Sequence, residues 1–246
     1  MATGGSRLGF LVTFEGIEGC GKSTQLQAIA ARLRGYGLKV DVAREPGGTD
    51  VGELIRQVIR KPYYRRRILQ WMSPTAHRIA MAPAAELFLF EAARAQLVRD
   101  LVIPSLRKRH VVLLDRFTDS TIAYQGYGRG LPLAGIESAN QMATSGYDPD
   151  LTYWIDVPVE VGLTRKFGEL GVDFMGSQTV SFYDRVRKGY SEIADRNPAR
   201  VRRIDGTLPA DQITDLIEAD IMRVWLLVQE FRDLDIPRKF RQRRFA

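Results

Sequence analysis

Directly after the apolar run Phe10-Leu11-Val12-Thr13-Phe14 stands Gly16-Ile17-Glu18-Gly19-Cys20-Gly21-Lys22-Ser23. Two glycines five residues apart followed by Lys-Ser, between a strand-like run and a helix-like one, are the pattern of a loop that cradles nucleotide phosphates. Glycine lets the chain fold tightly enough for successive N–H groups to converge on phosphate oxygens. The helix expected from about Lys22 to Leu33 aims its positive end at the same point. Lys22 supplies a mobile cation for the β- and γ-phosphates, and the Ser23 hydroxyl is a ligand for Mg²⁺. Gly16, Ile17, Glu18, Gly19, Cys20, Gly21, Lys22, Ser23 and Thr24 are therefore expected to hold a nucleoside triphosphate.

A second polar group follows the apolar run Val111-Val112-Leu113-Leu114. Asp115 at its end has the Walker B character of an acid facing the metal and phosphates. Arg116 can fork two N–H bonds onto a phosphate. Lys22, Asp115 and Arg116 are thus candidate catalytic residues, with Ser23 and Asp115 as candidate metal ligands.

The elements that must position these groups follow from hydrophobic patterning. Leu38 to Ala43, Val111 to Leu114, Leu151 to Val157 and Val201 to Ile204 read as further strands. Ala84 to Lys108, Val159 to Leu170, Val180 to Ala194 and Pro209 to Phe231 carry helical periodicity. Strands alternating with helices imply an α/β fold, a parallel sheet covered by helices on both faces. Ligands of such sheets sit beyond the carboxyl ends of the strands. Gly16 to Ser23, Arg44-Glu45-Pro46-Gly47-Gly48 and Asp115-Arg116 all fall there.

The 246 residues, 45% hydrophobic and 26% charged, suit one soluble globular domain. We expect that domain over residues 1–234, its core at about 8–224, and a basic, flexible tail at 235–246. The stretch Pro62 to Pro83 mixes aromatics, three prolines and a basic run, and reads as a helix-containing excursion or a flap. The net charge of +7 gathers in Lys61 with Arg65-Arg66-Arg67 and in the tail. Such runs are usually solvated surface, and no nucleic-acid-binding motif accompanies them. No apolar run is long enough to span a bilayer, so no membrane partner is expected. A single cysteine, Cys20, fits a reducing, cytoplasmic setting. His77 and His110 match no ligand or triad pattern.

Several strings resemble thymidylate kinases, in that family's order. They are Phe14-Glu15-Gly16 with Gly21-Lys22-Ser23, Arg44-Glu45-Pro46-Gly47-Gly48-Thr49, Ala85-Glu86-Leu87-Phe88-Leu89-Phe90 with Arg94-Ala95-Gln96, and Asp115-Arg116-Phe117. Ser120-Thr121, Ala123-Tyr124-Gln125-Gly126, Gly128-Arg129-Gly130-Leu131, Pro149-Asp150-Leu151-Thr152 and Arg185-Val186-Arg187-Lys188-Gly189-Tyr190 extend the likeness. It covers roughly Leu8 to Val224. The resemblance implies a P-loop NTPase-type, nucleoside monophosphate kinase-like fold with a lid, and transfer of the γ-phosphate of ATP to dTMP with Mg²⁺. It implies that Phe90 stacks on the pyrimidine, that Arg94 donates to its O4, and that Thr121 and Gln125 address the N3–H and O2 edge. Tyr124 would lie near the sugar 2′ position, Arg44 and Arg116 on the monophosphate, and Glu18 near the 3′-hydroxyl and metal, with Pro46 on the substrate side. A homodimer formed through helices is a further implication.

In this family the cations around the γ-phosphate come either from a basic residue in the phosphate loop or from arginines in a lid. Gly19 places this chain in the second group. The lid is expected around Arg165 to Thr179, where Phe167 and Phe174 stand in place of the usual arginines. Arg165 is the expected lid arginine, with Lys166 or a basic residue from Pro62 to Pro83 as substitutes. Two alternatives stay open on sequence alone: a nucleotide-binding paralogue with impaired catalysis, and a related pyrimidine nucleotide or nucleoside kinase.

Overall fold

The computed structural model describes residues 9–60, 81–168 and 180–230. The Pro62 to Pro83 stretch as far as residue 80, most of the expected lid and the basic tail lie outside those residues.

Five strands form one parallel sheet in the order β2-β3-β1-β4-β5: β1 Phe10–Glu15, β2 Val40–Arg44, β3 Val111–Asp115, β4 Leu151–Asp156 and β5 Val201–Asp205. Each expected strand is present, its ends within two residues of the expected ones. β1 and β4 are buried throughout, as strands covered on both faces must be.

Alternation along β1 divides the core. Phe10, Val12 and Phe14 pack with Leu26, Ile29 and Leu33 of α1 (Lys22–Gly35) and with the later helices α8 (Val180–Arg196) and α9 (Ala210–Glu230). Leu11 turns the other way, with Val112 and Leu114 of β3, onto Leu97, Val98, Val102 and Leu106. Both faces of the sheet are therefore covered.

The segment Ala84 to Lys108, expected as a single helix, is α3 (Pro83–Leu97), a π-helical turn Val98–Val102 and α4 (Ile103–Arg107). Pro104 explains the wider turn. It has no N–H for the carbonyl four residues back, and its ring would crowd that carbonyl in a regular helix. Helices not foreseen are α2 (Asp50–Arg60), α5 (Thr118–Thr121) leading into a π-helical segment Ile122–Gly128, and α6 (Leu133–Thr144). The remaining helix, α7 (Val159–Phe167), follows β4. No described helix is long and apolar enough to cross a membrane.

Parallel register aligns the polar residues. Asp115 of β3 lies beside Phe14 of β1 and Arg44 of β2. The phosphate-loop motif, the Asp-Arg pair and the Arg-Glu-Pro turn thus leave the sheet side by side at its carboxyl edge.

Candidate active site

Helix α1 starts at Lys22 behind a left-handed Gly21 (φ 101°), and no side chain caps it. Its first N–H groups therefore face the loop cavity, the arrangement that suits an anion. Gly19 is left-handed (φ 72°), and a Cβ there would lie 1.9 Å from the Gly162 carbonyl of α7. Only glycine fits. The Lys22 ammonium donates to the Gly16 and Ile17 carbonyls at 3.1 and 2.7 Å, folded onto its own loop.

Ser23 Oγ donates to Asp115 Oδ2 at 2.6 Å. No cluster of three or more His, Cys, Asp or Glu capable of holding a metal exists among the described residues. One hydroxyl and one carboxylate at hydrogen-bond distance fit Mg²⁺, which is commonly held by one or two carboxylates with waters and substrate phosphates.

Arg116 connects the loop to the other side of the site. Its backbone is left-handed (φ 74°), uncommon for a residue with a side chain, so the surrounding structure holds it there. Nη1 donates to Gly16 O and Ser120 Oγ at 2.9 and 3.0 Å; Nη2 donates to Glu18 Oε1 and the Tyr124 hydroxyl at 3.1 and 3.0 Å. Tyr124 in turn donates to Glu18 Oε2 at 2.6 Å, and its ring lies 4.8 Å from the guanidinium. Burial pushes the Glu18 carboxyl up, but Arg116 and Lys22 more than reverse this, leaving it below the usual carboxylate range.

Beneath Arg116 lies fully buried Glu15, a residue that sequence reasoning left without a role. It accepts from Phe117 N at 2.6 Å, Ser120 Oγ at 2.5 Å and the Tyr190 hydroxyl at 3.0 Å. Burial, reinforced by Asp119, raises its pKa to about 7.

Above this buried layer lies a cavity of about 470 Å³, within the range of small-molecule sites. Of the predicted residues, Glu18, Gly19, Lys22, Ser23, Asp115 and Arg116 line it with Arg44, Pro46, Phe90, Arg94, Thr121, Tyr124 and Gln125. Gly16, Ile17, Cys20 and Gly21 shape the loop without lining the cavity, and Thr24 is exposed in the first turn of α1. Arg165 is placed differently from expectation: its Nη1 donates to the Gly206 carbonyl at 2.9 Å, while its neighbour Lys166 lines the cavity.

Arg94, although it lines the cavity, is held by the protein itself. It was expected to offer donors to a base carbonyl, yet it is 1% exposed and each of its nitrogens faces a protein acceptor. Nε and Nη2 meet Glu45 Oε2 at 2.8 and 2.7 Å, Nη1 donates to Glu91 and Asn140, and Nη2 to the Phe117 carbonyl. Burial alone would lower its pKa; Glu45 and Glu91 raise it above the ordinary arginine range. Glu45, also buried, is itself pushed up to about 7 by desolvation. Arg94 therefore ties α3 to the Glu45–Pro46 turn.

Glu45, Glu86, Arg56, Arg129 and Tyr183 line the cavity as well. Glu45, Glu86 and Arg129 stood inside the motif strings without a role; for Arg56 the sequence carried no signal.

A profile of the thymidylate kinase family matches residues 14–217. A thymidylate kinase of Nostoc punctiforme is 42% identical over 219 residues, 89% of this chain and 97% of that protein. One from Kosmotoga olearia is 40% identical, covering 86% of this chain and 94% of its own. The crystal structure of thymidylate kinase from Ehrlichia chaffeensis superposes with a TM-score of 0.64 at 31% identity, covering 88% of this chain and 98% of that one. Together with a phosphate loop that opens onto an arginine-bearing cavity, these matches establish that the chain belongs to the thymidylate kinase family.

Proposed function

We propose that this cavity transfers the γ-phosphoryl group of ATP to dTMP, giving dTDP and ADP. A phosphate oxygen of dTMP attacks the γ-phosphorus as the bond to the β,γ-bridging oxygen breaks, and ADP leaves. The carrying observation is the Arg116 guanidinium, which spans from the Gly16 carbonyl of the donor loop to the Tyr124 hydroxyl of the acceptor side.

Little covalent chemistry falls to the protein, so positioning and neutralisation of charge do the work. The loop amides and Lys22 hold the donor phosphates. Ser23 and Asp115 would hold Mg²⁺, which would neutralise charge on the β- and γ-oxygens. Arg116 and Arg44 take the acceptor phosphate. Glu18 fixes Arg116 and Tyr124 together, and Phe90 offers a ring face to the pyrimidine. We assign the cation at the transferring group to Lys166, which lines the cavity, rather than to Arg165, which donates to the Gly206 carbonyl. We assign this reaction to the cytoplasm, where ATP and a reduced Cys20 coexist.

The test is a panel of dTMP, dUMP, dCMP and UMP incubated with ATP and Mg²⁺, followed by mass detection of each diphosphate. Formation of dTDP in preference to all others is expected; absence of dTDP would reject the reading.

The active unit in this reading is a homodimer. Val51 and Leu54 on α2, Phe88 on α3 and Met142 on α6 are exposed, and α3 packs between the other two helices. These residues belong to neighbouring helices whose exposed apolar side chains a second copy would cover. Light scattering should return twice the 27.8 kDa chain mass, and Phe88→Glu should return the single mass.

A further inference from the structure

Glu86 at the start of α3, Gln125 and Arg129 line the same cavity as Phe90. Gln125 Nε2 donates to Glu86 Oε1 at 2.8 Å, and Arg129 donates to both Glu86 oxygens at 3.3 and 3.1 Å. The chemistry leaves the amide one orientation. A carboxylate paired with a guanidinium only accepts, so Gln125 must turn its NH₂ to Glu86. Its Oε1 is then directed away from Glu86, and among the described residues nothing donates to that oxygen.

We infer that Glu86 is a positioning residue that locks Gln125 with its carbonyl oxygen toward the pyrimidine N3, so that the site takes bases bearing N3–H and rejects cytosine. Thymine and uracil donate from N3; cytosine presents a lone pair there, which meets the Gln125 oxygen acceptor to acceptor. A flipped amide would suit cytosine, but it would set the Gln125 oxygen against the Glu86 carboxylate. Gln125 is only 3% exposed, so solvent offers little relief from either conflict. The discrimination lies in a residue that need not touch the base. The inference rests on the reading that a pyrimidine monophosphate occupies this cavity.

The experiment compares wild type with Glu86→Ala and with the shape-filling Glu86→Leu, both lacking the acceptor that fixes the amide. The inhibition constants of dCMP and dUMP are measured against dTMP turnover, each divided by the KM for dTMP, with thermal unfolding to show that each variant is folded. In both variants the dCMP ratio should fall by at least about tenfold, since a site built to hydrogen-bond one partner discriminates strongly until that arrangement is freed. The dUMP ratio should stay within about twofold, because uracil and thymine share N3–H. A merely structural role would move both ratios together. A dCMP ratio that falls less than tenfold, or that moves with the dUMP ratio, overturns the inference in an enzyme that still makes dTDP. A wild-type protein that makes no dTDP overturns the functional reading and this inference with it.

Discussion

The Ser23 hydroxyl and the Asp115 carboxylate meet at 2.6 Å, joining the start of α1 to the end of β3 across 92 residues of chain. In the proposed reaction that pair is the protein's share of the Mg²⁺ site, substrate phosphates and waters completing the shell. Asp115→Asn keeps the hydrogen bond but removes the charge. Its half-saturating Mg²⁺ concentration should rise at least about tenfold, in line with the loss of a single charged ligand. Chelation should abolish turnover and leave the melting temperature of the nucleotide-free protein unchanged. Titration of turnover with Mg²⁺, alongside calorimetry with EDTA, checks both outcomes.

Glu15 gives the protein a defined response to pH. Its carboxyl is raised from 4.5 to about 7 by burial and by Asp119, so the folded state holds this proton more tightly than the unfolded chain. The associated stability is complete below the ordinary carboxylate range and is lost as pH rises through about 7. Glu15→Gln removes that slope while still accepting from Phe117 N. Relative to wild type, the variant should gain melting temperature progressively between pH 5 and pH 8. Glu45, raised to about 7 as well, keeps its own part of the slope in both proteins. A constant difference across that range would show that Glu15 is ionised throughout.

Arg94→Met separates a structural from a substrate role. Removing one partner of a buried ion pair costs about 3–5 kcal/mol because the charge left behind has no compensation. Here Glu45 and Glu91 would both be stranded, and Glu45 Oε1 and Glu91 Oε2 already have no hydrogen-bond partner among the described residues. The variant should melt roughly 10 °C lower at pH 8, with a smaller deficit at pH 5.5, where Glu45 takes up a proton. A variant that melts like wild type but shows a raised KM for dTMP would return Arg94 to the base pocket.

The sheet, its parallel sense and the location of the site were legible because β1, β3 and β4 are nearly continuous apolar runs that end in polar motifs. Three features went unread. The α2 helix was legible but missed, since Val51, Leu54, Ile55, Val58 and Ile59 stand at helical spacing behind its polar start. The π turn at Val98–Val102 is a response to Pro104 within a pattern that otherwise looks like one helix. The partners of Arg94 come from three other parts of the chain, at Glu45, Phe117 and Asn140. Spacing along α3 placed Arg94 on a face but said nothing of what that face meets. Glu86 illustrates the same gap, since its role depends on Gln125, 39 residues away.

The two basic residues at the end of α7 should differ in their effect on rate. Arg165 is bonded to the Gly206 carbonyl, whereas Lys166 lines the cavity. Cations at the transferring phosphoryl group contribute strongly to the rate, an arginine as much as about 10³-fold or more. Lys166→Ala should therefore lower kcat at least about tenfold with little change in the KM for dTMP, and Arg165→Ala should lower it less. Steady-state kinetics on the pair decides between them; the reverse order would restore Arg165 as the acting cation.

Gly19 leaves no room for a further cation in the phosphate loop beside Lys22. Its φ of +72° is unfavourable for any side chain, and a Cβ would sit 1.9 Å from the Gly162 carbonyl. The contact is mutual, because a Cβ on Gly162 would lie 2.6 Å from the Glu18 carbonyl. Backbone meets backbone on both sides, so neither can yield without moving the loop away from α7. Gly19→Ala and Gly162→Ala should each raise the KM for ATP and lower kcat, together at least about a hundredfold in kcat/KM, the scale on which small misplacements of a phosphate site act. Gly19→Arg should be no better than Gly19→Ala, since an arginine grafted there inherits the same collision before its guanidinium can reach a phosphate. Kinetics of the three variants, with ATP binding measured separately by calorimetry, distinguishes a displaced loop from a lost cation.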